Sequence, residues 1–313
     1  MADFQPLLVI EKVAMLFFVL LCGVYATRRG FLSETTPRSL SLFLVNVTQP
    51  ALIVSSFNME HSPERIRTGF LILALSVVVH LVLCLVARVL FWRVKLPDEK
   101  SIFQCALIFC NCSFLGFPVL NAIFGEGIGV FYGTFYCIMF NILNFTYGIA
   151  LLRRKRGEKP KWYRAVINPG VLSTLIGLLL YLLQIDLPNV VDISLETVGN
   201  MTFPLSMVIV GALIAKMHLK EVFGVWRHYR FVLLKNILWP LLLIGVFYLI
   251  GLRGEIGVLG VTMGAVPSAT STTIFAETYD SDSALAARLV SITTLFSVIT
   301  LPCMVILAST VLC

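Results

Sequence analysis

Two stretches of this sequence decide its fold: Cys110–Asn121, which reads CNCSFLGFPVLN, and Met263–Thr273, which reads MGAVPSATSTT. Each places glycine, proline and small polar side chains inside an apolar run of helical length. Proline removes a backbone hydrogen bond from a helix, and in a membrane the freed polar groups need partners or a cavity. The pattern therefore predicts two broken helices, whose second halves begin near Pro118 and Pro267.

The ends of such broken helices predict a site for an anion. Half-helix N-termini present free N–H groups and the positive end of the helix dipole, so two of them at mid-membrane bind negative charge without lysine or arginine. The alternative is a pair of kinked helices whose hydroxyl groups bond to their own backbone. The candidate substrate ligands from the two stretches are Asn111, Ser113, Gly116, Pro118, Asn121, Pro267, Ser268, Thr270 and Ser271.

The composition is that of an integral membrane protein. Hydrophobic residues make up 58% of the 313 residues and charged residues only 13%, about half the share in a soluble domain. Runs of about 20 apolar residues recur with short polar breaks, which predicts an all-α membrane protein of about ten spans. The spans are predicted near 6–27, 38–57, 68–92, 101–124, 127–152, 166–185, 194–215, 230–251, 256–276 and 284–311.

Basic residues give the orientation. They concentrate in alternate polar breaks, which the positive-inside rule assigns to the cytoplasm. The longest such break, RRKRGEKPKWYR at 153–164, is predicted to be a cytoplasmic linker between one five-helix repeat at 1–152 and another at 165–313. Both termini are then extracytoplasmic in the plasma or inner membrane, and the first apolar run is a span rather than a cleaved signal.

A short repeated motif supports the division into two halves. Asn46–Pro50 reads NVTQP and Asn200–Pro204 reads NMTFP, and the two lie five spans apart, as do Pro118 and Pro267. An odd offset reverses the membrane orientation, so the halves form an inverted repeat, an architecture common in transporters. The motif side chains either satisfy the carbonyls freed by the prolines or also face the substrate. These further candidates are Asn46, Thr48, Gln49, Asn200 and Thr202.

Few ionisable residues lie inside the predicted spans. His80, in the middle of the third span, either titrates and couples protons to transport or is a neutral histidine bonded within the protein. Arg288, at the start of the last span, either reaches a substrate carboxylate or lies at the cytoplasmic rim beside Asp280 and Asp282, and Glu277 is interpreted as a rim residue.

Several function classes are disfavoured. The basic residues lie between apolar runs rather than on one face, so the net charge of +7 does not indicate a nucleic-acid partner. No phosphate-binding glycine loop, metalloprotease or serine-hydrolase motif occurs, so no enzyme and no cofactor are expected. The eight cysteines lack metal-ligand spacing and are predicted to be packing residues, with Cys110 and Cys112 on different sides of a helix. Neither broken stretch has a carboxylate in its core, which weakens sodium coupling.

The chain resembles the auxin efflux carrier family, the bacterial relatives of the plant PIN-FORMED carriers, over nearly its whole length. The resemblance implies ten helices in two inverted repeats, with helices four and nine crossing at their prolines around Asn111–Pro118 and Ala265–Ser268. It also implies a scaffold domain of helices one, two, six and seven, a transport domain of helices three to five and eight to ten, and a homodimer. The segments that carry it are Asn111–Gly127, Asn168–Leu180, Phe203–Ala215, Val266–Tyr279 and Thr300–Pro302.

The family resemblance also implies a substrate class, an organic anion such as a dicarboxylate or an auxin-like carboxylate. Two departures matter. The long central loop of many plant members is replaced by residues 153–164, and the acidic sodium ligand of the similarly built bile-acid sodium symporters has no counterpart near Pro267. The sequence thus predicts a lipid-embedded secondary carrier that works by an elevator or rocking motion. The rival hypothesis is a membrane receptor or sensor that binds a ligand on a transporter fold without moving it.

Overall fold

A computed structural model describes residues 6–33, 35–125, 127–153, 168–215 and 224–313. In these ranges the chain is helical, and the only β-bridge, between Cys110 and Ser268, is isolated. Helices lie at each of the ten predicted segments, and the fourth and ninth segments are each divided in two. The helices are α1 (Pro6–Arg28), α2 (Thr36–Ser56), α3 (Pro63–Leu90), α4 (Pro97–Ile108), α5 (Cys112–Phe124), α6 (Ile128–Leu152), α7 (Pro169–Leu183), α8 (Asn189–Ala215), α9 (Trp226–Leu249), α10 (Gly254–Ala265), α11 (Thr270–Thr278) and α12 (Ser283–Leu312).

The helices have the length and surface of membrane spans. Six of them, α2, α3, α6, α8, α9 and α12, are long and apolar enough to cross a bilayer, and shorter apolar helices cover Val13–Arg28, Cys112–Phe124, Pro169–Leu183 and Gly254–Ala265. Large apolar side chains such as Phe18, Leu85 and Leu249 are exposed. A surface of this kind suits lipid better than water. The predicted linker at 153–164 lies outside the described residues, except for Arg153.

The break in the ninth segment lies where the sequence predicts it. The helix α10 ends at Ala265, Val266 is extended, and α11 begins at Thr270, three residues after Pro267.

The break in the fourth segment lies elsewhere, and the prediction of a half-helix beginning near Pro118 was wrong. The helix α4 ends at Ile108, Phe109 is extended, and α5 begins at Cys112, six residues before Pro118. Pro118 is accommodated inside α5, because the turn before it, Cys112–Gly116, is π-helical. The carbonyl of Phe114, four residues before the proline, lies 2.9 Å from the Ser206 hydroxyl, which shares its proton between this carbonyl and that of Phe203 in its own helix at 2.8 Å. An outside donor thus replaces the N–H that proline lacks.

A π-helical turn also precedes two other prolines that lie inside helices. The π-helical turns Leu44–Thr48 and Leu233–Leu238 each end two residues before a proline, Pro50 and Pro240. A π turn widens the helix and shifts its hydrogen bonds, so a proline enters without ending it. The NVTQP motif therefore marks a bulged but continuous α2.

The described chain divides into two compact units. Unit 1 contains the described residues within Met1–Ile72, Ser113–Phe135 and Ile167–Met217. In unit 1, α1 packs against α8 with the backbones in close contact. A Cβ at Gly211 would collide with the carbonyl of Leu20, and one at Gly23 with the backbone of Val208. Small residues permit this close approach, which is the usual way in which helices associate in lipid.

Unit 2 contains the described residues within Leu73–Cys112, Tyr136–Val166 and His218–Cys313. In it α10 packs along α12, and a Cβ at Gly260 would lie 2.8 Å from the side chains of both Leu75 and Phe247. Both helix breaks, Phe109–Asn111 and Val266–Ala269, belong to this unit. They are buried, so their backbone groups must be satisfied within the protein.

Candidate substrate site at two paired helix breaks

The two breaks pair with each other as short antiparallel extended segments. The N–H of Asn111 donates to the carbonyl of Pro267 at 2.8 Å, and the N–H of Ala269 donates to the carbonyl of Phe109 at 2.9 Å. Isolated backbone groups at this depth would cost several kcal/mol each. Each break therefore supplies the hydrogen bonds that the other has lost.

Side chains cap the end of α4 at the pairing. The Ser268 hydroxyl donates to the carbonyl of Ala106 at 2.7 Å, and the Lys235 ammonium donates to the carbonyl of Leu107 at 3.2 Å. Carbonyls in the last turn of a helix have no partner within it. Ser268 thus bonds to another helix rather than back to its own backbone, unlike the kinked-helix alternative.

Polar groups from α9 and α12 hold the second break. The N–H of Ser268 donates to the hydroxyl of Thr293 at 3.3 Å, and the side-chain amide of Asn236 donates to the carbonyl of Thr293 at 2.8 Å. All three residues are fully buried. The pairing is thus held by a polar network in the core of unit 2.

Asn111 is the predicted ligand with the clearest unused hydrogen-bonding group. Only 4% of the residue is exposed, and its Nδ2 has no hydrogen-bond partner among the described residues. A buried amide without a partner is uncommon and calls for a ligand or a water to satisfy it. Four other buried polar atoms of unit 2 have no partner among the described residues, namely His80 Nε2, Asn236 Oδ1, Trp239 Nε1 and Ser309 Oγ.

Unit 1 brings two further predicted ligands together. Gln49 Nε2 donates to the Ser113 hydroxyl at 3.0 Å, and Gln49 is buried. Thr202 is fully buried with no partner for its hydroxyl among the described residues. Gly116 and Pro118 are buried within α5.

Other predicted ligands make local contacts. Asn46 is exposed and donates to the carbonyl of Leu42 at 2.8 Å, and the buried Thr48 donates to that of Leu44 at 3.4 Å. Both bonds stay within α2, and neither reaches the carbonyl of Asn46, four residues before Pro50, which the kink interpretation would have satisfied. Asn200 is exposed and Thr270 half-buried. Asn121 accepts from the N–H of Gly127 at 3.0 Å, and the Ser271 hydroxyl bonds to Asn144 at 3.3 Å.

His80 is fully buried in α3. Its Nδ1 lies 2.8 Å from the carbonyl of Ser76, so Nδ1 carries a proton, since a carbonyl only accepts. The Ser76 hydroxyl donates in turn to the carbonyl of Tyr136 at 2.8 Å. These contacts orient the ring and leave Nε2 as the group available for a proton or a ligand. Of the two residues interpreted as rim residues, Glu277 is exposed and Arg288 is half-buried.

Two features of unit 2 differ from the sequence reading. Lys235, 1% exposed in the π-helical part of α9, was not among the predicted site residues. The sequence feature that could have identified it is a lysine inside a predicted apolar span, at 230–251. The expectation that Cys110 and Cys112 diverge was wrong, because their sulfurs are 3.1 Å apart. The break is extended, and residues two apart then point to the same side.

Two cavities lie elsewhere. One of about 300 Å³ in unit 2 is lined by Arg88, Lys100, Gln104 and Tyr147, and one of about 460 Å³ in unit 1 by residues that include His61 and Tyr181. No predicted substrate ligand lines either cavity. Within the described ranges, no group of three or more His, Cys, Asp or Glu side chains could hold a metal ion.

Apolar helices of spanning length and two buried, paired helix breaks define a multi-pass membrane protein of the transporter class. The chain belongs to the Mem_trans family of membrane transport proteins, which it matches over residues 8–305. This confirms at family level the resemblance to membrane carriers drawn from the sequence.

Two archaeal proteins are similar to the chain over nearly its whole length. One, described as an uncharacterized transporter of Methanothermobacter thermautotrophicus, is 26% identical over 297 positions that cover 93% of this chain and 96% of the relative. The other, uncharacterized transporter MJ1031 of Methanocaldococcus jannaschii, is 26% identical over 305 positions that cover 92% and 95%. The family and both descriptions point to a transporter rather than an enzyme.

Proposed function

We propose that this membrane transporter is a secondary carrier of a small organic anion, a dicarboxylate or an auxin-like carboxylate, which binds at the paired breaks of unit 2. The observation that carries the proposal is the unpaired Nδ2 of Asn111, a buried donor inside the pairing. A carboxylate oxygen accepts hydrogen bonds only, so it complements an amide N–H. Gln49, Ser113 and Thr202, predicted ligands that lie in unit 1, are proposed separately as residues that contact substrate.

Helix ends at the breaks favour negative charge. The helix α11 begins directly after Ala269, whose methyl group cannot cap it, and α5 begins directly after Asn111. Helix N-termini of this kind attract anions through their free N–H groups and dipole. Two such ends beside Asn111 support a carboxylate rather than a cation as substrate.

The transport step is proposed to be an elevator or rocking motion of a transport domain against a scaffold, in a protein of two inverted repeats. The composition of the units supports this division in part. The four proposed scaffold helices, α1, α2, α7 and α8, lie in unit 1, and the helices α9 to α12 lie in unit 2. The helices α3 and α6 are shared between the units and α4 lies in unit 2, whereas α5 apart from Cys112 lies in unit 1, which departs from the proposed division. A homodimer in the plasma or inner membrane, with both termini extracytoplasmic, completes the proposal.

A thermal-shift screen of organic acids on purified protein tests the anion site, followed by uptake of the best acid into liposomes. We expect one or more carboxylates to raise the melting temperature and Asn111→Ala to abolish that shift. Asn189→Ala is the matched control, since Asn189 is exposed and is not a predicted ligand. Stabilisation by neutral or cationic solutes alone would overturn the proposal, and binding without uptake would favour the receptor hypothesis.

A further inference from the structure

Lys235 is an ammonium group buried in the membrane-spanning part of the protein. It is 1% exposed, and its only hydrogen bond among the described residues is to the carbonyl of Leu107. No carboxylate forms an ion pair with it in the described part of the chain. Burying a lysine at this depth without a counter-charge is costly, so such residues usually serve function.

The partner of Lys235 shows what the ammonium does. Leu107 belongs to the last turn of α4, where unpaired carbonyls and the helix dipole concentrate negative charge. In transporters with discontinuous helices, this end of a half-helix is where a coupling cation such as Na⁺ binds, through backbone carbonyls. The neighbouring carbonyl, that of Ala106, is occupied by the Ser268 hydroxyl. Two carbonyls that would coordinate a cation are thus bonded to protein donors.

We propose that the Lys235 ammonium is a built-in cation, occupying the place at the end of α4 that a coupling cation would take. It neutralises the carbonyl end of the break from within the protein, so the paired breaks keep their geometry without sodium. This proposal rests on the proposed function in one respect, namely that the substrate binds at these paired breaks.

The consequence is that cation dependence appears when the ammonium is removed. Lys235→Ala leaves the carbonyl of Leu107 without its donor and vacates the volume of the side chain. A small cation then has both a ligand and the space to bind. Lys235→Met removes the charge but fills the space, so no cation can replace it.

The experiment measures melting temperature in detergent, in choline, sodium and ammonium chloride at equal ionic strength. We expect the wild type to melt at one temperature in all three salts. Lys235→Ala should melt roughly 5 °C lower in choline chloride. It should recover at least half of that loss, saturably, in sodium or ammonium chloride, whereas Lys235→Met should stay low in every salt. Lys95→Ala, at an exposed lysine, is the control and should match the wild type.

Three results would overturn the proposal: a sodium response of the wild type, a Lys235→Ala protein as stable as the wild type in choline, or a loss that no cation restores. If neither Lys235→Ala nor Lys235→Met folds, the test uses the wild type and Lys235→Arg. Both keep a cationic side chain, so the melting temperature of each should be the same in sodium chloride as in choline chloride. These melting temperatures are all measured without a substrate. Failure of the acid screen with a positive cation result would therefore reject the anion site alone, and the reverse pattern would reject the built-in cation alone.

Discussion

Ser206 supplies the hydrogen bond that lets Pro118 lie inside α5, and its removal should have a defined cost. Ser206→Ala deletes the donor 2.9 Å from the carbonyl of Phe114, which Pro118 has already deprived of its helical partner. A buried acceptor left unpaired costs about 1 to 3 kcal/mol, but hydrogen bonds between membrane helices average about 0.6 and reach about 1.7 kcal/mol. We expect a loss of about 1 to 1.5 kcal/mol, in the upper part of the membrane range, because Phe114 is buried and Pro118 has no N–H to replace the lost donor.

The assay is a double-mutant cycle measured by reversible unfolding in mixed micelles. In a Pro118→Ala background, the restored N–H at 118 can bond to the carbonyl of Phe114, so Ser206→Ala should cost only a few tenths of a kcal/mol. Ser194→Ala is the control, since Ser194 is exposed and bonds to the carbonyl of Val190 in its own helix. An equal cost of Ser206→Ala in both backgrounds, or a cost no larger than that of Ser194→Ala, would refute the reasoning.

Two further predictions concern packing and coupling. Gly211→Ala should lower stability by about 1 to 3 kcal/mol, because the added methyl group collides with the carbonyl of Leu20. Gly245→Ala, where nothing lies within 4 Å of a built Cβ, should be neutral or stabilising in the same unfolding assay. His80→Gln should shift the pH dependence of uptake if the free Nε2 of His80 exchanges protons during transport, because glutamine cannot titrate. Uptake by His80→Gln with the pH profile of the wild type would instead assign His80 a structural role.

The membrane class and the positions of the helices could be predicted from the sequence. The length of an apolar run and its charge content are local properties of the sequence. They predict a membrane span directly, because a helix needs about 20 apolar residues to cross the hydrocarbon core. The break at Pro267 was also predictable. Pro267 has no N–H with which to continue α10, and it disfavours helical backbone at Val266, so local preferences agree with a break there.

The fate of the other prolines was decided by tertiary structure. Pro118 resembles Pro267 in the sequence, yet its helix bulges instead of breaking, because the hydroxyl of Ser206, from another helix, reaches the freed carbonyl of Phe114. The real break lies at Phe109–Asn111, where the hydrogen-bonding partner is the second break itself. No local pattern contains that partner. Likewise, Lys235 is only an isolated charge in an apolar run until folding places it against the carbonyl of Leu107. The sequence alone determined which segments enter the membrane, because burial in lipid depends on each segment's own composition. The tertiary structure decided where the helices open, because every polar group freed within the bilayer needs a partner from another part of the chain.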